Sequence, residues 1–159
     1  MAIDWTNSDG LEIRFAGPEG GATGAGVSTL GAVKNLVLDF DFGTAITAAA
    51  DAYEAFIPAG SYITNAYVIV TTAATSAGTA TLTIGLAQKD GTVIDADGID
   101  ATIALAALGA AKVVRCDGAL AGGTASIGSA NGYVYTTPTS GGDAFTAGRG
   151  KLVLEYIEV

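Results

Sequence analysis

Histidine is absent from the 159 residues, cysteine and tryptophan occur once each, and only seven residues are basic. Each scarcity weighs against a class of function. Without histidine the chain lacks the side chain that most often serves as general base and metal ligand near neutral pH. A single cysteine, Cys116, forbids an internal disulfide and has no histidine to activate it as a nucleophile. It reads as a small packed hydrophobe. Sixteen acidic residues against seven scattered Lys and Arg give a net charge of −9. Nucleic acid is therefore not expected as a direct partner, because phosphate contacts need clustered basic groups. No apolar run approaches the roughly 18 residues of a membrane span, so no membrane partner is expected. The first ten residues show no basic region followed by an apolar core, and no signal peptide is expected. These absences lead to the expectation of a chain with no catalytic residues, no cofactor and no metal site.

What is present is β-pattern. Half the residues are hydrophobic, many of them alanine, and 23 are glycine. A chain of this length fits one domain and buries about two-thirds of its unfolded surface, enough to fold without a metal or disulfide. The clearest signal runs from Ile57 to Leu86. Tyr62 to Thr72 is rich in Ile, Val, Tyr and Thr, which fit a pleated surface. Ala80, Leu82, Ile84 and Leu86 then alternate with Thr79, Thr81, Thr83 and Gly85. That period of two gives one apolar face and one threonine face. The two runs read as a hairpin across the Thr75–Gly78 loop. The apolar face is expected in a core; the threonine face is either wet or buried against a sister subunit.

Further strands are expected at Leu11–Phe15, Val33–Phe42, Thr92–Ile94 after the Asp90-Gly91 turn signal, Lys112–Cys116, Tyr133–Thr137 and Lys151–Val159. Pro138 to Gly142 is expected to turn the chain. Ala45 to Ala55 reads as a loop with at most a helical turn. Asp100 to Ala110 has a helix start signal at Asp100 and a glycine stop at Gly109, and is the one segment expected to be a short helix, or else a crossover loop. The class is all-β: an antiparallel β-sandwich, jelly-roll-like, with at most one short helix near 100–109. One domain spans 1–159, with residues 1–10 as an extended N-terminal arm.

Three stretches invite a chemical reading. Gly17 to Gly26 is glycine-rich, but neither a following Gly-Lys-Ser/Thr nor a complete three-glycine dinucleotide pattern is present, and a flexible surface loop is the simpler reading. Asp39 and Asp41 share a strand face roughly 6.6 Å apart along the backbone. That is near the separation of an inverting glycosidase pair, although a solvated acidic face is the better reading. Asp95, Asp97 and Asp100, with Gly98 between them, resemble part of a calcium loop but lack its remaining ligands, and read better as an acidic turn.

The run Ile57-Pro58-Ala59-Gly60, with Ile63 to Val70 and the later Gly78-Thr79-Ala80-Thr81-Leu82-Thr83-Ile84-Gly85, resembles small structural proteins of tailed bacteriophages. Phe145-Thr146-Ala147-Gly148 to Tyr156-Ile157 resembles the closing strand of such proteins. The likeness spans residues 55–88 and 144–157. Within that group the chain is most similar to capsid decoration, or cement, proteins. The resemblance implies a virion protein on the capsid exterior, assembled in the host cytoplasm. It implies the major capsid protein as partner, self-association as a homotrimer, and a clamping role without catalytic residues. Ile3 and Trp5 on the arm and Thr79, Thr81 and Thr83 on the hairpin are then the expected capsid or subunit interface. Trp5 either anchors such a contact or packs on its own domain.

Two other readings use different residues. A tail or head-fibre module that binds host glycans would use an aromatic platform such as Tyr62, Tyr133 and Tyr135. A glycan hydrolase would use Asp39 and Asp41, but no complete acid–base constellation accompanies them.

Overall fold

Strands form where β-branched and aromatic residues alternate with small polar ones, and the structure follows that alternation closely. The computed structural model describes residues 3–6, 12–15, 33–47, 56–140 and 144–159, with side chains left out of the description at 3–6, 12–15 and 139–140. Among the described residues there are nine strands: β1 (Ile3–Thr6), β2 (Glu12–Phe15), β3 (Lys34–Asp41), β4 (Tyr62–Ser76), β5 (Ala80–Ala87), β6 (Val93–Ala104), β7 (Val113–Arg115), β8 (Tyr133–Ser140) and β9 (Phe145–Ile157). The segment 17–26 and residues 48–55 lie outside the described part.

β1 and β2 pair with each other, Trp5 opposite Ile13. The other seven strands build two antiparallel sheets, ordered β3-β9-β4-β7 and β6-β5-β8. Counting from Lys34, Ala45–Thr47 supplies the second segment of an eight-stranded jelly roll. Ile46 donates its amide to Thr136 Oγ1 at 2.9 Å, and the Thr136 amide donates to the Ile46 carbonyl at 3.1 Å. The sheets then carry the first, eighth, third and sixth strands against the second, seventh, fourth and fifth, an order built from two nested Greek keys.

The core lies between the sheets. Leu36, Phe40 and Phe42 come from the β3 side, Ile63, Val68 and Val70 from β4, and Leu152 and Leu154 from β9. Leu82, Ile84 and Leu86 of β5 face them, each fully buried. Each such side chain contributes about 1.5–3 kcal/mol relative to exposure. The apolar face expected of Leu82, Ile84 and Leu86 is therefore core, and the C-terminal strand is built into the sheet as expected.

Several local readings are corrected. The runs Tyr62–Ser76 and Ala80–Ala87 are not a hairpin: β4 pairs with β9 and β7, whereas β5 pairs with β6 and β8. The short link between them crosses from one sheet to the other, which lets both apolar faces meet in the same core. The helix begun at Asp100 is not formed. Asp100–Ala104 completes β6, and only Leu105–Ala107 makes a single 3-10 turn. Pairing with β5 outweighs the weak local helix preference there. Asp95–Asp100 is likewise no free turn but a bulged part of β6, where two steps along β5 (Ile84 to Leu86) span five along β6 (Asp100 to Asp95). Pro138 sits inside β8 opposite Leu82. Proline is tolerated there because its nitrogen lies on the side of β8 away from β5, the side on which the Thr136 amide meets the short segment Ala45–Thr47.

Glycine permits two close approaches. A Cβ on Gly85 would run into the carbonyls of Asp95 and Ala96 in the β6 bulge. A Cβ on Gly150 would lie 2.8 Å from the Phe42 ring and 3.0 Å from the Ile69 carbonyl. Phe42 is fully buried and meets Phe40 edge-on with ring centroids 5.3 Å apart. Gly150→Ala and Gly85→Ala are each expected to destabilise the fold by about 2–3 kcal/mol, as overpacking does. Urea unfolding checks this; wild-type midpoints in both variants would contradict it.

Candidate functional site

The sequence nominates several separate groups of residues, and the sandwich distributes them over different surfaces. Ile3 and Trp5 lie on β1. Thr79 precedes β5 and is exposed; Thr81 and Thr83 are half-buried on its outer face. There Thr83 stands opposite Thr137 of β8 and Thr81 opposite Thr139. Thr83 Oγ1 donates to the Ala101 carbonyl at 2.9 Å. The outer face of the three-stranded sheet thus carries Thr81 and Thr83, with Thr137 across from Thr83.

The tyrosines do not form one platform. Tyr62 belongs to β4 in the four-stranded sheet, while Tyr133 and Tyr135 belong to β8 in the other. Tyr133 packs against Phe56 with ring centroids 5.7 Å apart. Tyr135 stands opposite Gly85. Burial, then the negative charges of Asp95 and Asp97, raise its phenol above the ordinary value. A cleft of about 400 Å³ runs beside it, bordered by Ile46, Val93, Thr137 and Pro138 among others.

Asp39 and Asp41 lie on the outer face of β3, directly opposite Lys151 and Arg149 of β9. Lys151 Nζ is 2.7 Å from Asp39 Oδ1, and Arg149 donates through Nε to Asp41. The Asp39 side chain is 72% exposed. This is a cross-strand ion-pair ladder in water, and each such pair contributes at most about 1 kcal/mol.

The three aspartates of β6 differ in burial, Asp97 exposed, Asp95 half-buried and Asp100 buried. Asp95 Oδ1 accepts from the Asp97 amide at 3.3 Å, and Asp97 is exposed. Asp100 is 3% exposed, and its Oδ1 accepts from the Thr102 amide at 2.9 Å. Cys116 and Asp117 lie close enough to Asp100 for their charges and polar groups to act on it. Among the described residues no group of three His, Cys, Asp or Glu side chains is gathered closely enough to hold a metal ion. Burial raises the Asp100 carboxyl above its ordinary value, and the Asp117 charge adds to that. Cys116, 5% exposed, has its thiol pushed up to about 12, first by burial and then by the charges of Asp100 and Asp117. Among the described residues, no helix is long and apolar enough to cross a membrane.

With the geometry in place, the backbone can be compared with known proteins. No protein-family profile matches the sequence, and no curated protein sequence does either. Solved structures do match. The chain shares its fold with chains of two phage capsids. One belongs to the capsid asymmetric unit of cyanophage Pam1, with a TM-score of 0.60 and 19% identity over 91% of this chain and 97% of that one. The other belongs to the capsid of Ralstonia phage GP4, with a TM-score of 0.55 and 16% identity over 82% and 86% of the two chains.

Sequence reasoning missed the surface that the four-stranded sheet presents to solvent. Register places Val37, Val153, Tyr67 and Arg115 in one row across its outer face, and Asp39, Lys151, Ile69 and Val113 in the next. Val37 is 55% and Val113 64% exposed. Only the pairing of β9 with strands more than eighty residues upstream, and of β7 with β4, brings these residues together, although the apolar outward positions in Val37, Ile69 and Val153 were a visible departure from strict alternation.

Two outcomes follow from the Asp100–Cys116 pair. Because the folded state raises the Asp100 pKa, it retains a proton that the unfolded chain releases. Stability linked to Asp100 is therefore present at low pH and lost as pH rises through the window just above the ordinary carboxylate value. Asp100→Asn keeps an acceptor for the Thr102 amide and removes the buried charge, so its stability at neutral pH should equal or exceed wild type; a marked loss in chemical denaturation would refute this. Cys116 should resist a disulfide-exchange reagent at pH 8 in the native protein and react once unfolded. Rapid stoichiometric labelling of the folded chain would count against that environment.

Proposed function

We propose that this chain is a structural virion protein that binds the outer surface of an assembled phage capsid as an oligomer and stabilises it by clamping neighbouring capsomers. The observation that carries the reading is the backbone match to a chain of a phage capsid asymmetric unit over nearly the whole of both chains. The physics is compatible. A clamp needs a rigid scaffold with contact residues on its surfaces, and the jelly roll supplies two sheets over a continuous apolar core. A shell bound through many copies needs only modest affinity at each contact, because multivalency multiplies it.

In this reading the partners are the major capsid protein and further copies of the chain, arranged as a homotrimer. The threonine face of Thr79, Thr81 and Thr83, with Ile3 and Trp5 on β1, is assigned to contact with the shell or with a sister subunit. Small hydroxyl side chains suit a broad, partly wet contact. The role is mechanical and uses no catalytic residue. Glycan binding by a fibre module is less well supported, since Tyr62 stands in a different sheet from Tyr133 and Tyr135.

Purified protein mixed with expanded, undecorated capsids should co-sediment stoichiometrically, in multiples of three copies. Protein left wholly in the supernatant would sink the reading, and retention on a glycan array without capsid binding would favour the fibre module. Native mass measurement tests the trimer separately.

A further inference from the structure

We infer that the outer face of the β3-β9-β4-β7 sheet is where one copy of this chain meets the next, with Arg115 and Val113 of β7 in one copy against Asp39 and Val37 of β3 in its neighbour. The inference deepens the self-association in the proposed function and rests on that reading for the existence of an oligomer.

Charge singles out this face. Every copy carries a net charge of −9, so two copies repel except where local charge is balanced. The charged side chains that the paired strands carry on this face are Asp39, Asp41 and Glu155 against Arg115, Arg149 and Lys151, three against three. Three of the seven basic residues of the chain are concentrated here. Between the charges runs an apolar strip of exposed Val37 and Val113 and half-buried Tyr67 and Ile69, with Val153 already buried beneath it. Burying such a strip supplies the drive for association, and a neutral surround removes the main opposing force.

The two ends of the sheet are complementary. At the β3 end the Asp39 carboxylate, although paired with Lys151, remains largely exposed and keeps free acceptor sites. At the β7 end Arg115 forms no ion pair among the described residues. It borders a shallow depression of about 540 Å³ with Thr64, Asn65, Tyr67 and Val113. A neighbour's β3 edge laid here would cover Val113 with Val37 and bring Asp39 to the guanidinium. The two patches are different, so the contact is head-to-tail and closes into a ring when the rotation permits, as a trimer requires.

The test is a charge swap read out by sedimentation velocity and native mass spectrometry, with circular dichroism to establish that each variant is folded. Arg115→Asp and Asp39→Arg should each raise the dissociation constant of the oligomer by about tenfold or more, since each sets like charges together. The double variant should recover the wild-type assembly. The inference is overturned if the wild-type chain is monomeric at every concentration reached. It is equally overturned if the folded single variants assemble as wild type does, or if the double variant fails to recover assembly. Loss of capsid binding by an Arg115→Asp chain that still assembles would also overturn it and assign the face to the shell. Disassembly by Arg115→Asp of a chain that never binds capsids would leave this contact standing while the proposed function falls.

Discussion

The insertion of β9 between β3 and β4 is the constraint on which the rest of the structure depends. β9 pairs with β3 from Lys34–Tyr156 to Asp41–Arg149, and with β4 from Tyr62–Ile157 to Ser76–Phe145. It joins the beginning and the middle of the chain through its end. Removing it would leave β3 without a partner in the sheet and open the core over Leu152 and Leu154, both fully buried. Such pairing spans long loops and costs chain entropy before any contact repays it, so ordered assembly is expected late in folding.

That central strand must also pass close to an aromatic ring. Gly148 and Gly150 leave room for Phe42, which is fully buried and touches Phe40 and Phe145. Side chains at either glycine would push the ring out of the core. On the other face of the same strand, Arg149 and Lys151 reach the carboxylates of β3. One short stretch, 148–151, therefore closes the core on one side and neutralises the acidic strand on the other. The alternation of strand side chains makes both possible at once.

Among the candidate functional residues, legibility followed range. Asp90-Gly91 announced a local turn, and Gly91 adopts φ 88° there, with the Thr92 amide bonded to Asp90 Oδ1 at 2.9 Å. The threonine face of β5 was legible because it depends only on period two. The acidic stretch of β6 was legible as composition but not as geometry. Whether Asp95, Asp97 and Asp100 converge depends on a bulge created by Gly85, Gly98 and Gly118, where added side chains would strike neighbouring segments. The burial of Asp100 and Cys116 beside each other depends on the same packing.

By itself the sequence determined the alternation, the glycine-rich turns, the all-β class and the apolar faces of β3, β5 and β9. These are properties of neighbouring residues and follow from local sterics and burial. It determined the acidic balance and the scarcity of basic, histidine and cysteine side chains. Only the tertiary structure decided which strands share a sheet. It sent β4 and β5 to opposite sheets despite a three-residue link, and turned the nominal helix start at Asp100 into a strand. It also set Val37, Val153, Tyr67 and Arg115 in a single row. The physical reason is that strand partners are chosen by the closure of a common core across the whole chain, and a local pattern specifies which side of a strand is buried but not which strand lies beside it.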